Sequence, residues 1–595
     1  MTGKKTETID TPSFWWEEAD EDISSALYSH VTNLQDQQCY FLDNIYSFLQ
    51  LYSGVNSGWA SYDNFSQSLV NEPRVSYNIV QSCCQAAANK VTRNRPHASF
   101  LTFGADYSMR RKAKGLERVV EGQFYRGFVH KEQREAFFDC CIFGTGCVKV
   151  MDYHGEIRVE RVFPGELIVD DTEAIYGRPR QFYQKKHIAR EHLRRLYPDL
   201  CDELGEASGI AEDRYTGEKN ASDMVEVIEG WHLPSTPAAV DGRHTIVVSS
   251  CVLLDEVYEE DDFPFVFMRW EKKRLGFWGL GIAEQLLGIQ ANINKTFRRI
   301  QEQQHLATPK VFIEKGSKVS QGSMTNKVFG TVNYSGRKPE FYMPRAVGTE
   351  IYQHLESQIR RGYEVVGISQ LTASSRKPVG LESGKALREF TDIETERFSA
   401  VAREYEEAYM AIAHKVVNLC GKMAKKYKKK FFAYSKRGIE FIDWKDVDLS
   451  RDEFMMQILP SSNLPRTPAA RKQYVEELVQ AGMLTPDMAL KLLEIPDIES
   501  YTDMRLAYVD IVDRIIENII EEGIYETPEP FMNLEFAMKR VNDAYLKARL
   551  DGVEEERLDL LRNWVMQAES LLPDPVAPAP APMPMPTTIP EEGII

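Results

Sequence analysis

No stretch of the 595 residues approaches the roughly 18 consecutive apolar side chains of a membrane helix. The first segment, MTGKKTETIDTPSFWWEEADED, has no apolar centre of the kind a secretory signal carries. Both absences predict a protein that stays in the cytosol where it is made. Cysteine is sparse: there are nine, an odd number, and none forms a CxxC pair. The doublets Cys83-Cys84 and Cys140-Cys141 have neither zinc-ligand nor disulfide-framework spacing, which predicts reduced, buried thiols. GxSxG and HExxH are missing, and with them the common nucleophile-elbow and zinc-protease signatures. Positive charge is also short, at 72 Lys and Arg against 89 Asp and Glu, a net charge of -17. That excludes a surface that grips nucleic acid everywhere and leaves room only for local, weak contact.

What is present reads as a mixed α+β chain, mainly helical. Apolar residues recur every three or four positions from Glu17 to about Tyr52, with Leu27, Val31, Leu34, Phe41, Ile45, Phe48 and Leu49 marking one buried stripe of a single helix. A second helical run, YNIVQSCCQAAANKVTRNRP, stops before Pro96, and a third is expected over residues 108–141, broken by the glycines of FGTGC. Short β-type runs follow (VKVMDY, EIRVERV, ELIVDD, HTIVVSSCVLLDEVY, PFVFMRW), with a helix at HIAREHLRRLYPD.

From Gly276 the pattern changes to a helix of about 25 residues, a small β insertion, and a second helix around EIYQHLESQIRRGYEVV. The polar loop ISQLTASSRKPVGLESG then leads into a helix expected from Lys385 to Cys420, about 54 Å long at ~1.5 Å per residue, with Gly421 as its stop. The hairpin KFFAYSKRGIEFIDW, a helical stretch over residues 468–568 and the tail PDPVAPAPAPMPMPTTIPEEGII complete the chain.

Several stretches resemble binding motifs and fall short of them. GLGIAE lacks the last glycine of a dinucleotide loop, and no acidic ribose ligand follows in a βαβ setting. GLESGK, residues 380–385, has three residues between its glycines where a phosphate loop has four, and Ala386 stands where Ser or Thr would hold magnesium. A nucleotide-hydrolysing, DNA-dependent enzyme using this loop is therefore the lesser alternative. EQQH, residues 302–305, has no partner motif for a di-metal bundle. DVDLSRDEF has Arg451 and Gln457 where a calcium loop needs glycine and glutamate. Asp170, Asp171 and Glu173 are better read as solvated acids in a turn than as metal ligands. No metal and no cofactor are expected, and catalysis has little support.

Two charge patterns remain. Lys310, Lys315, Lys318, Lys327, Arg337, Lys338 and Arg345 make the β insertion basic in an acidic chain, against only Glu314 and Glu340. Arg376 and Lys377 add a smaller basic point in the loop beyond. In the helix before the insertion, Ile282, Leu286, Ile289, Ile293, Phe297 and Ile300 form a narrow seam of nearly coiled-coil spacing, as in a helix that packs on other helices, including those of other subunits. Its other faces carry Asn292, Asn294, Arg298, Gln301, Gln303 and Gln304, which predicts that it is not a core element.

The order of these parts resembles the portal protein of tailed bacteriophages, of the type in short-tailed phages. The phrases that carry the resemblance are NIVQSCCQAAANKVTRNRPHASFLT, FPGELIVDDTEAIYGRPRQ, GLGIAEQLLGIQANINKTFRRIQEQQ and PVGLESGKALREF. It implies an N-terminal helical segment (1–55), an α/β wing (56–275), a first stem helix (276–306), a β clip (307–345) and a second stem helix (346–366). A tunnel loop (367–384), a long wing helix with a hairpin (385–465), a helical crown (466–570) and a Pro-rich tail (571–595) would follow.

The resemblance further implies a dodecameric ring at one capsid vertex of the virion, through which double-stranded DNA passes during packaging and ejection. The protein would be a structural one and not an enzyme, made in the host cytoplasm. Its partners would be further copies of itself, the terminase, the head-tail adaptor and tail proteins, and the capsid and scaffolding protein; another head-tail adaptor is the nearest alternative. Arg376 and Lys377 would touch DNA in the channel, and the clip cations would meet DNA, adaptor or terminase. The glycines before the first stem helix would be a flexible break between wing and stem.

Overall fold

The computed structural model describes residues 14–17, 23–54, 77–93, 96–102, 107–176, 178–212, 219–236, 239–307, 310–316, 318–319, 334–342, 348–368, 396–435, 438–448, 454–459, 468–483, 508–509 and 511–572. Two compact units divide the chain: Met1–Ala98 with Arg118–Trp444, and Ser99–Glu117 with Lys445–Ile595. The class is mixed α+β, with more helix than strand.

The first unit opens with α1 (Ile23–Gln37) and α2 (Cys39–Ser53), two helices where the periodicity predicts one. The break falls at Gln38, which is buried and donates its side-chain amide to the carbonyl of Val169. A polar group sealed away from water needs that partner, and at this joint the Gln38 backbone turns to φ -92°, ψ 9° while still bonding to Leu34 and Leu42. Ile23, Leu27, Val31 and Leu34 are buried as the stripe predicts. α3 (Ile79–Val91) is capped by the Asn78 side chain, which accepts from the amide of Gln81 at 3.0 Å. The single helix expected over 108–141 is also two, α4 (Tyr107–Arg126) and α5 (Val129–Phe143), separated where Phe128 turns left-handed at φ 50°. Gly144, at φ 87°, ends α5.

Strands β1 (Thr145–Tyr153) and β2 (Glu156–Val162) form a hairpin, and β3 (Leu167–Ile168), β4 (Gln181–Ala189), β5 (Lys219–His232), β6 (Arg243–Val248), β7 (Val252–Val257) and β8 (Phe265–Arg269) follow. The short α6 (Arg190–Leu196) starts three residues later than the sequence predicts, because His187–Ala189 still pair with β5.

Two antiparallel sheets result, one in the order β8-β1-β2, the other β3-β4-β5-β6-β7 with Gly209–Glu212 added beside β5. The strands alternate in what they bury. Tyr183, Ile228 and Val247 meet Leu27 and Val31 of α1 on one face, while Phe182 and Trp231 meet Cys147, Phe265 and Phe277 on the other. Helix, sheet and sheet are thus stacked, and α5 closes the stack against β1. There Gly146 lies so near Ala136 that an added Cβ would come within 1.9 Å of its carbonyl oxygen.

Beyond the sheets, α7 (Ile282–Leu306) and α8 (Thr349–Val366) run antiparallel: Gln304 bonds to the Tyr352 hydroxyl near one end, and Gly362 lies against Ile289 nearer the other. Between them lie the short ladders of β9 (Lys310–Phe312), β10 (Lys318–Val319), β11 (Tyr334–Ser335) and β12 (Glu340–Tyr342). α9 (Ser399–Tyr427) passes through Gly421 and ends at Lys428 instead, so the expected stop is wrong. The ring of Trp444 packs over the glycine, 3.5 Å from an ideal Cβ, which is ordinary contact distance. β13 (Phe431–Ser435) and β14 (Gly438–Ile442) then form the expected hairpin.

In the second unit, α10 (Pro468–Gln480), α11 (Leu534–Leu550) and α12 (Glu555–Ser570) lie in the predicted helical stretch, with a π-turn at Asn518–Glu522. Ile519, Val541, Leu561 and Trp564, all with no measurable exposure, centre its core. The strand His97–Thr102 pairs with Phe454–Leu459.

Candidate functional site

The helix pair α7 and α8 carries the basic insertion, and its entry is built by the glycines of GFWGLGI. A Cβ on Gly144 would lie 2.4 Å from the carbonyl oxygen of Gly279, and one on Gly281 would lie 2.5 Å from that of Ile142. The Gly279 amide donates to the Thr145 hydroxyl at 2.9 Å. Gly279 and Gly281 therefore form a tight backbone contact between the end of α5 and the start of α7 in place of the expected flexible break, and the Gly279 amide is already engaged, whereas Gly276, at φ 96°, has open space around it.

In α7, Ile282, Leu286, Ile293 and Ile300 are buried, while Ile289 and Phe297 are half-buried, the latter stacked on Tyr77 with ring centroids 6.1 Å apart. The first half of α7 is thus a core element, contrary to expectation, because α2, α3, α5 and α8 of the same chain cover it. Gln290 lies inside this contact. Its oxygen accepts from the Ile79 amide at 3.0 Å and its amide donates to the Tyr77 carbonyl at 2.8 Å, so the chain's entry into α3 is fixed from α7.

The insertion itself is a surface. β9 pairs with β12, placing Lys310 opposite Tyr342, Val311 opposite Phe341 and Phe312 opposite Glu340. β10 pairs with β11 through Lys318 and Ser335, Val319 and Tyr334. Phe312, Phe341 and Tyr342 are 58%, 60% and 55% exposed, far more than aromatic rings in a finished core. Lys310, Lys315, Lys318, Arg337 and Lys338 are all exposed, and among the described residues none of the five has an ion-pair partner. Unpaired cations beside uncovered rings suit contact with a polyanion or with another protein. Lys327, Arg345, Arg376 and Lys377 lie outside the described residues, as does the glycine loop at 380–385.

A second cluster of charge escapes sequence reading. Lys149 of β1, with a side chain only 4% exposed, binds Glu229 of β5 at 2.5 Å and Gln184 of β4 at 3.2 Å, and lies 4.7 Å from the centre of the Trp231 ring. His244 of β6 bridges Glu229 at 3.0 Å and Glu256 at 2.8 Å. Burial pulls the lysine pKa below its ordinary value, opposed by Glu229. Burial would raise the Glu229 pKa, but Lys149 and His244 outweigh it and hold that carboxyl down to about 2. For His244, burial acts downward and the two glutamates prevail, so its pKa is raised. The cluster ties the two sheets together. Its only sequence signal is a charge inside an apolar strand run, as in VKVMDY and VIEGWH.

Of the acids in the motif-like stretches, Asp170 accepts from the amides of Thr172 and Glu173 at 2.8 and 3.3 Å, closing a turn, and Glu302 pairs with Arg298 at 3.1 Å. Among the described residues no group of three His, Cys, Asp or Glu side chains is placed to hold a metal ion, and no helix is long and apolar enough to cross a membrane. Cysteines 83, 84, 140, 141, 147, 251 and 420 are free and buried, with burial pushing the Cys83 thiol up to about 12.

Fold and surface together define a mixed α+β protein in which a helix pair presents a basic, aromatic β ribbon. Comparison with known protein families and with curated proteins returns no match.

Proposed function

We propose that the chain is a subunit of a portal-type head-to-tail connector of a short-tailed bacteriophage, forming a dodecameric ring at one capsid vertex through which the genome is packaged and ejected. It works as a conduit and docking platform and not as an enzyme. Terminase and tail adaptor bind the ribbon end, and the capsid and scaffolding protein surround the ring.

The observation that carries this reading is the antiparallel pair α7 and α8 with an exposed basic ribbon between them. A duplex must slide through a conduit, so its contacts have to be few, directed at phosphate and free of base readout. Five exposed cations with no ion-pair partner among the described residues, Lys310 and Lys318 on short strands and Lys315, Arg337 and Lys338 in the turns beside them, meet that need in a chain of net charge -17. The exposed rings of Phe312, Phe341 and Tyr342 leave apolar surface for a docking protein to cover.

Electron microscopy of the purified full chain, with mass measurement, tests the proposal. Rings are expected, together with no ATP hydrolysis and loss of DNA packaging when residues 370–380 are deleted. A chain that stays monomeric under every assembly condition sinks it.

A further inference from the structure

Only three non-glycine residues among the described ones have left-handed backbones: Phe128, His154 and Lys428, at φ 50°, 50° and 49°. They come from the α4–α5 break, the β1–β2 turn and the end of α9; Phe128 lines one groove of about 660 Å³ in the first unit, and His154 and Lys428 each adjoin residues that line it, Tyr153 and Gly155 in one case and Lys429 in the other. Side chains held in this region cost the fold free energy, and such outliers gather at binding sites.

The groove's chemistry is distinctive. Into its rim runs KKYKKK, residues 425–430, five lysines in six residues of an acidic chain. Lys429 donates to the Gly155 carbonyl at 3.1 Å, fastening the run to the β1–β2 turn, and the Tyr427 ring lies beside that same glycine. The carboxylates lining the groove are already engaged: Glu156 by Arg126, Glu160 by Arg158 at 2.6 Å, and Glu132 by the backbone amide of Arg161 at 3.2 Å. Lys131, Lys425 and Lys428 have no ion-pair partner among the described residues. Phe128 and Tyr153 line the groove, and Tyr427 lies beside its Gly155 edge. Phe128 is 70% exposed, Tyr427 is 43% exposed, and Tyr153 carries the Arg158 guanidinium 5.0 Å from its centre.

We propose that this groove binds single-stranded nucleic acid, with phosphates on Lys131, Lys425, Lys428 and Lys429 and an unstacked base against Phe128 or Tyr153. Cations that track a backbone and rings that take a base face are the two requirements of such a site. A duplex keeps its base faces covered and is too wide for a cavity of this size. The lysine run continues past the cavity, so the ligand is longer than one nucleotide. This site is separate from the β ribbon, and neither proposal depends on the other.

Fluorescence anisotropy with the full chain and a short labelled oligothymidylate is the test. The strand should bind more tightly than a duplex of equal length, with log K falling against log salt by about 0.7 per phosphate contact. Phe128→Ala should weaken binding roughly tenfold without changing that slope. Lys131→Gln with Lys425→Gln, both on exposed positions, should flatten the slope and keep the fold, so a misfolded Phe128 variant would not rescue the idea. Equal or tighter duplex binding overturns the proposal. So does displacement of the strand by polyglutamate or free ATP at equal concentration, or loss of binding on Lys315→Ala with Lys338→Ala while the groove variants bind normally.

Discussion

The cations between the sheets and the cations on the ribbon are the same side chains put to opposite uses. Lys149 is withdrawn from water and held by Glu229, Gln184 and the Trp231 face; Lys310, Lys315 and Lys338 are exposed and have no ion-pair partner among the described residues. A buried ion pair contributes through the penalty of breaking it, whereas an exposed, unpaired cation contributes almost nothing to folding and is free to meet a partner. Charge alone therefore says little; what surrounds it decides between scaffold and surface.

The largest effect that can break this contrast is removal of one member of the buried pair. Glu229→Ala, which strands Lys149, should lower stability by about 3–5 kcal/mol in denaturant unfolding. A decrease below about 1 kcal/mol would place the pair with ordinary surface charges.

A smaller effect concerns pH. The Glu229 carboxyl is depressed to about 2, so its contribution is present above its ordinary pKa of 4.5 and is lost as pH falls from there. His244 is raised, so its contribution is present below 6.5 and is lost as pH rises through the folded value. Unfolding midpoints should thus show a broad maximum between about pH 4.5 and 6.5, and His244→Gln should flatten only its alkaline side. An unchanged alkaline side would remove His244 from the cluster.

The smallest effect on folding belongs to the ribbon. Lys310→Ala with Lys315→Ala and Lys338→Ala should leave the unfolding midpoint in place, yet reduce the salt dependence of duplex binding by about 0.9 for each phosphate that these lysines neutralise. Destabilisation comparable to that of Glu229→Ala would show that these side chains are structural.

Local signals were legible where a single segment decides the outcome. The ends of α8, the β13–β14 hairpin and the basic insertion follow from periodicity, turn residues and charge within a few dozen positions. The breaks at Gln38 and Phe128 were not legible, since neither residue is a glycine or proline: one is a buried glutamine whose side chain reaches the carbonyl of Val169, the other an exposed phenylalanine with a left-handed backbone. The Lys149 cluster was hidden because its partner lies 80 positions away on another sheet. Gly421 misled because a glycine stops a helix only where the backbone turns left-handed, and that turn falls at Lys428. The seam in α7 is the intermediate case: its spacing marks the buried positions, but not that this chain's own helices cover them.

The contact of Gly144 with Gly279 and Gly281 has a mechanical side. Where two backbones touch with no side chain between them, no rotamer can give way, so the joint has little slack. From it α7 extends about 37 Å, at 1.5 Å per residue, toward the ribbon. Because α2, α3, α5 and α8 also pack along its first half, a sideways load at the ribbon would be shared by those helices and by the β layer at this joint.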